Sequence, residues 1–221
     1  MPQYAPKLVN IVFLGNFNPQ ILTPQFLNEK GIIPSNESPF REILSNKEKP
    51  FTEFTSTPVI VLLRYGNIIV VVEQNRYQIS DNSENATFTN SPIAKITKNY
   101  FSILEHTPIM LGGFNINGQI LFNNKDEFSN FEDQFIRNRV EFQKKLKANN
   151  LELEPAFRFP YEEGTIKLQF TKLKENPLAY NVAFNYEFPN DELKKFLSKL
   201  DATHLIHAKF NELTGDLLKN G

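Results

Sequence analysis

The stretch "VIVLLRYGNIIVVVEQNRYQI", residues 59–79, decides the fold. Val59-Ile-Val-Leu-Leu63 and Ile68-Ile-Val-Val-Val72 are unbroken apolar, mostly β-branched runs separated by Arg64-Tyr65-Gly66-Asn67. The Gly-Asn pair predicts a hairpin, and arms apolar on both faces belong in the middle of a covered sheet. The second arm reads as continuing to about Ile79. Upstream, residues 7–17 read as an opening strand, stopped by the turn-prone Gly15-Asn16-Phe17-Asn18-Pro19. Thr23 caps a short helix over 24–30, with Pro24 at its first position and Gly31 past its end. A polar, proline-containing loop is expected to about Pro50.

Downstream, a polar loop over 80–90 leads to a helix that starts at Ser91-Pro92. It repeats Ile93, Ile96, Tyr100, Ile103 and Leu104 on one face and ends before Pro108. Residues 109–111 and 119–122 read as two extended segments joined near Asn117-Gly118. The first half therefore reads β-α-β-β-α-β, the ferredoxin-like order, with additions.

The second half changes style. A helix over 125–148 aligns Phe128, Phe131, Phe135, Phe142 and Leu146, with Lys144, Lys145 and Lys147 suiting its C-terminal dipole. Three strands follow, over 151–159, 165–171 and 179–188. The last alternates Tyr180, Val182, Phe184, Tyr186 and Phe188 against Ala179, Asn181, Ala183, Asn185 and Glu187. The expected class is α+β: a ferredoxin-like lobe over 1–124, and an added helix, a three-stranded antiparallel sheet and a helical corner over 125–221. The two pack as one continuous fold, and no internal repeat is legible.

Composition narrows the chemistry. The 24 basic and 25 acidic side chains nearly cancel, so no strong field steers the molecule toward a polyanion. Cysteine is absent, which excludes disulfides, thiolate nucleophiles and cysteine-bearing metal sites. Residues 1–7 show no signal peptide, and no apolar run approaches the ~18 residues of a membrane span. A cytoplasmic protein is expected, without membrane partners.

Two of the three histidines, His204 and His207, stand three residues apart. A metal reading needs a third ligand, and only Asp201 or Glu212 is at hand. The competing reading is a corner between helices. With Asn190 capping, Leu193, Phe196, Leu197 and Leu200 share one helical stripe; Ile206, Phe210, Leu213 and Leu217 share another. On one straight helix the stripes would sit roughly 120° apart. A break near residues 201–203, capped by Asp201 or Thr203, buries both. His106 reads as a residue facing the C-terminal dipole of its helix.

Leu200-Asp201, His204, Phe210 and Leu213-Thr214 resemble the C-terminal signature of a sporadically distributed, uncharacterised family of bacterial proteins of about this size. "VFLGNFNP" and "LEHTPIMLGG" are similar to stretches of hypothetical bacterial proteins. The resemblance implies an α+β fold, a bacterial source and the sporadic occurrence of mobile or defence-associated genes. It implies a shared corner at Leu200, Asp201, His204, Phe210 and Thr214 rather than a reaction.

No Walker loop, dinucleotide fingerprint, nucleophile elbow or His-Glu-x-x-His occurs. Glu132-Asp133 and Glu162-Glu163 read as surface and turn charge. Phe157-Arg158-Phe159 is the one aromatic and basic mixture, with its phenylalanines directed inward. Two strand-following loops stand out as partner-binding candidates: Asn16-Phe17-Asn18 and Gly112-Gly113-Phe114-Asn115. Each aromatic could instead plug a sheet end, and parallel neighbouring strands would unite the two loops. The expectation is a non-enzymatic bacterial interaction or accessory subunit of a phage-defence type, without cofactor or metal, binding another protein or itself. Nucleic-acid binding is one alternative. A hydrolase or ligand-binding protein with a dispersed site near Arg64, Glu73 or Arg76 is another.

Overall fold

The structure, a computed structural model, describes residues 2–36, 40–46, 48, 51–136, 139–146, 152–189 and 192–219. In chain order the elements are β1 (Gln3–Gly15), a 3-10 turn (Pro19–Ile21), α1 (Pro24–Glu29), α2 (Phe40–Ser45), β2 (Glu53–Ser56), β3 (Ile60–Tyr65), β4 (Ile68–Glu73), β5 (Arg76–Asp81) and α3 (Ile93–Ile103). Then come β6 (Ile109–Leu121), α4 (Lys125–Asp133), α5 (Arg139–Leu146), β7 (Ala156–Tyr161), β8 (Gly164–Lys172), β9 (Ala179–Pro189), α6 (Leu193–Asp201) and α7 (Thr203–Lys219).

The nine strands of the described residues form one sheet in the order β2-β3-β4-β5-β1-β6-β9-β8-β7, every neighbouring pair antiparallel. This overturns the α+β, ferredoxin-like reading of the first half and the separate three-stranded sheet of the second. The error sits at Glu73-Gln74-Asn75. The arm after Gly66-Asn67 does not run on to Ile79; β4 stops at Glu73 and the chain turns back as β5, which pairs with β1. The hairpin itself forms, with Gly66 at φ 59°, the positive angle that the first loop position of a type II′ turn demands.

The order contains a repeat that the sequence hides. Each half begins with a 13-residue strand, continues through two helices, returns as an antiparallel meander whose last strand pairs with the first, and closes with a helix. With the edge strand β2 left aside as an addition of the first half, β1-α1-α2-β3-β4-β5-α3 matches β6-α4-α5-β7-β8-β9-α6, and the halves meet where β1 pairs with β6.

Other differences have local causes. β6 is one strand, not two segments, because the glycines that look like turn residues make room for rings. A Cβ on Gly112 would run into the Phe188 ring, and one on Gly118 into Tyr4. The helix expected over 125–148 ends at Asp133 with Gln134 as its cap; α5 is separate, and Lys147 lies outside the described residues. Asn190 also lies outside them, and Glu192 stands at the N-cap of α6.

The core lies on one face. Its central row runs across the whole sheet: Phe159, Ile166, Tyr186, Phe114, Ile11, Ile79, Val70, Leu63 and Phe54, each directly opposite the next. α3 packs there through Ile93, Ile96, Tyr100 and Phe101, and α4 through Phe128 and Phe131. Near the β1–β6 junction, Phe13 and Phe101 each meet Phe196 of α6 edge-on, with centroids 4.0 and 5.5 Å apart. Such pairs contribute about 0.5–1.5 kcal/mol each beyond their area burial.

The glycines give a sharp contrast. Gly112→Ala is expected to lose about 1–3 kcal/mol by overpacking. At Gly113 a Cβ would meet nothing nearer than 3.6 Å, so Gly113→Ala is expected to hold or gain up to about 1 kcal/mol. Urea unfolding of both variants reads the difference.

Candidate interaction surface

The alternate residues of the same strands face away from the helices. Directly opposite residues share a face, so the register defines rows across it. The central row reads Arg158, Lys167, Asn185, Asn115, Asn10, Ser80, Ile69, Arg64 and Glu53. The adjacent row reads Thr165, Glu187, Gly113, Val12, Gln78, Val71, Leu62 and Thr55. The packing of α3, α4, α6 and α7 through buried aromatics falls on the opposite face.

Three asparagines form a ladder at the centre. Asn115 Nδ2 donates to Asn10 Oδ1, and Asn185 Nδ2 donates to Asn115 Oδ1. Gln78 Nε2 extends the polar strip to Ser80 Oγ at 3.2 Å. Asn10 and Ser80 of this strip are buried. Hydrogen bonding offsets their desolvation, at roughly 1 kcal/mol net per bond.

The two ends of the face differ. The β3–β4 hairpin presents half-buried Ile60, Leu62, Ile69 and Val71, continued on β1 by Val12 and by Leu14, which is 39% exposed. The β8–β9 side presents Thr165, Lys167, Gln169, Asn181 and Glu187. Except at Arg158, charge is cancelled in place. Arg64 binds Glu53 at 3.1 Å, Arg76 binds Glu73 at 3.0 Å and Lys167 binds Glu187 at 3.2 Å. Arg64, Glu73 and Arg76 therefore pair along the sheet instead of converging on a deep cavity.

The two candidate loops are not united. β1 and β6 are neighbours but antiparallel, so Asn16 N–H bonds the Pro108 carbonyl at 3.0 Å while residues 112–115 lie inside β6. Phe114 is fully buried within the central row of the core, and Phe17 is nearly so. Gly113 and Asn115 face the open side; Gly112 and Phe114 face the core. Asn16, Phe17 and Asn18 instead line a cleft of about 350 Å³ with His106 and Pro108. His106 also borders a cleft of about 500 Å³ with Ser102, Glu105, Glu192 and Leu193. It stands beyond the α3 cap at Leu104.

At the corner the chain breaks at Ala202. Leu200 and Phe210 are buried, Thr203 Oγ1 bonds the Leu200 carbonyl at 3.2 Å, and Thr214 Oγ1 bonds that of Phe210 at 2.8 Å. His204 is exposed, with Nδ1 3.2 Å from the Asp201 carbonyl. Asp201 itself takes both carboxylate oxygens to Lys98 Nζ of α3 at 2.7 Å. Among the described residues, no group of three His, Asp or Glu side chains is placed to hold a metal ion.

His207 is buried beside Phe210, and its Nδ1 has no protein partner. Desolvation lowers its pKa below the ordinary value of a histidine. The unfolded chain therefore binds this proton more readily, so the contribution of neutral His207 is full above pH ~6.5 and is lost as pH falls through the lower folded value. His207→Phe is expected to flatten the pH dependence of the unfolding midpoint between pH 7 and 5. An unchanged slope would place the acid sensitivity elsewhere.

No protein-family model matches the chain, and no curated protein matches it either.

Proposed function

We propose that the chain is a non-enzymatic accessory subunit that docks another protein through the open face of its sheet. One observation carries this reading: a nine-stranded sheet buries aromatics against helices on one side and leaves, on the other, a face whose charges are mostly paired and whose aliphatic residues are concentrated at one end. Half-buried aliphatics gathered on an uncovered face are the usual mark of a protein contact. A bacterial, defence-associated setting rests on the C-terminal resemblance alone. A cytoplasmic location accords with the absence of cysteine. Among the described residues no helix is long and apolar enough to cross a membrane.

Nucleic-acid binding is the second reading. The amide ladder favours it, because asparagine can pair with base edges; three of the cations of the face oppose it, because Arg64, Arg76 and Lys167 already hold carboxylates, while Arg158 at the β7 edge holds none among the described residues. Apart from Arg158, a polyanion would have to break ion pairs to be gripped.

The test is native mass spectrometry of untagged protein from its own host, before and after a high-salt wash. A defined protein stoichiometry that survives the wash is expected, and it should vanish in the Leu62→Lys, Val71→Lys double variant while thermal unfolding stays within a few degrees. A bare monomer, or salt-labile nucleic acid, would overturn the reading.

A further inference from the structure

Resting on that reading, we infer that the open face receives a different folded protein rather than a second copy of this chain, and that the partner's contact surface is aliphatic over β3 and β4, rich in amide or hydroxyl groups over β6 and β9, and uncharged except opposite Arg158 at the β7 edge.

Size comes first. Nine strands at ~4.8 Å spacing and about six residues of ~3.3 Å along each strand give a face of roughly 40 by 20 Å. That approaches the ~800 Å² per partner of a standard stable interface. The whole face is needed, so the occupant is a folded surface and not a single peptide strand.

Symmetry then argues against a second copy. A two-fold axis along the central row would stack Lys167 on Lys167 and Arg64 on Arg64; one along the adjacent row would stack Glu187 on Glu187. Like charges brought together and desolvated oppose association. A two-fold axis along the strands at the central β1 lays β4 over β9 and β3 over β8, which sets Val71 against Glu187 and Arg64 against Lys167. Shifting that axis to β4 restores aliphatic contact but keeps only about half of the face, below a standard interface. The repeat that makes the two halves alike in topology does not make them alike in chemistry, and an isologous contact needs the latter.

The chemistry of the partner follows from what is already satisfied. Arg64, Arg76 and Lys167 hold carboxylates on the same face, so a charged partner gains little at those points. Ile60, Leu62, Ile69 and Val71 call for aliphatic cover. The ladder asparagines and Gln169 call for groups that both donate and accept.

The experiment places a photo-reactive benzoylphenylalanine at position 71, at position 169 or, as a control, at Leu205, which is 52% exposed on α7. Each full-length variant is expressed in the native host and irradiated. The expected result is one adduct mass shared by positions 71 and 169, absent from 205, resistant to nuclease, and reduced at least tenfold from position 169 by the Leu62→Lys substitution. Circular dichroism must show that this substitution leaves the unfolding midpoint within a few degrees; if it does not, Val71→Thr takes its place. An adduct equal to twice the chain mass from positions 71 and 169 would overturn the inference yet leave the docking role intact. A nuclease-sensitive adduct, adducts only from 205, or none from 71 and 169 would overturn both.

Discussion

The antiparallel pairing of β1 with β6 is the constraint on which the rest of the molecule depends. These are the two longest strands, each flanked on its outer side by the closing strand of its own half, β5 or β9. Their register puts Ile11 opposite Phe114 toward the helices and Asn10 opposite Asn115 toward the open side. Because side chains alternate with a period of two, a slip of one residue would carry the amides into the aromatic core and the aromatics onto the surface. The pairing therefore sets both the packing of α3 and α6 and the position of the amide ladder.

The helices hold this junction from behind. α3 and α6 close their respective halves and meet each other there, through Phe101 and Phe196 and through the Lys98–Asp201 ion pair. The ion pair is solvent-exposed, and pairs of that kind contribute at most about 1 kcal/mol. The aromatic contacts contribute more, so the corner that carries Asp201 serves chiefly to aim α7 and its Phe210 at Phe184 and Tyr4. The open face lacks such cover, and its aliphatic residues are consequently half-buried where their opposite-facing neighbours Val61, Leu63, Val70 and Val72 are almost wholly so.

Local pattern made several elements legible: the Gly66-Asn67 hairpin, the Thr23-capped helix, the alternation of Tyr180 through Phe188, and the break between the stripes of Leu200 and Ile206. Each depends on neighbours close in sequence. What misled was punctuation. Glu73-Gln74-Asn75 turns the chain without glycine or proline, so β5 merged with β4 in the reading, and the β-α-β-β-α-β order followed from that merger. Gly112 and Gly118 look like turn residues, but their missing side chains accommodate Phe188 and Tyr4, rings supplied by distant strands. The duplicated order left no trace in residue identity, since it is a relation among pairings. The open face was invisible for a related reason: alternation shows that a strand has two faces, not which of them the helices will cover.

The position of β1 at the centre also bears on how the chain is made. β1 leaves the ribosome before both of its partners: its outer neighbour β5 begins at Arg76, about 60 residues after Gly15, and β6 comes later still. At ~5–20 residues per second of synthesis, β1 waits several seconds with both hydrogen-bonding edges unpaired. Lys7 and Pro6 at its start, with the register irregularity between Pro6 and Leu8, blunt that exposed strand against premature pairing with other nascent chains. The first half can then close as a unit once β5 arrives, leaving one edge of β1 as the template on which the second half assembles.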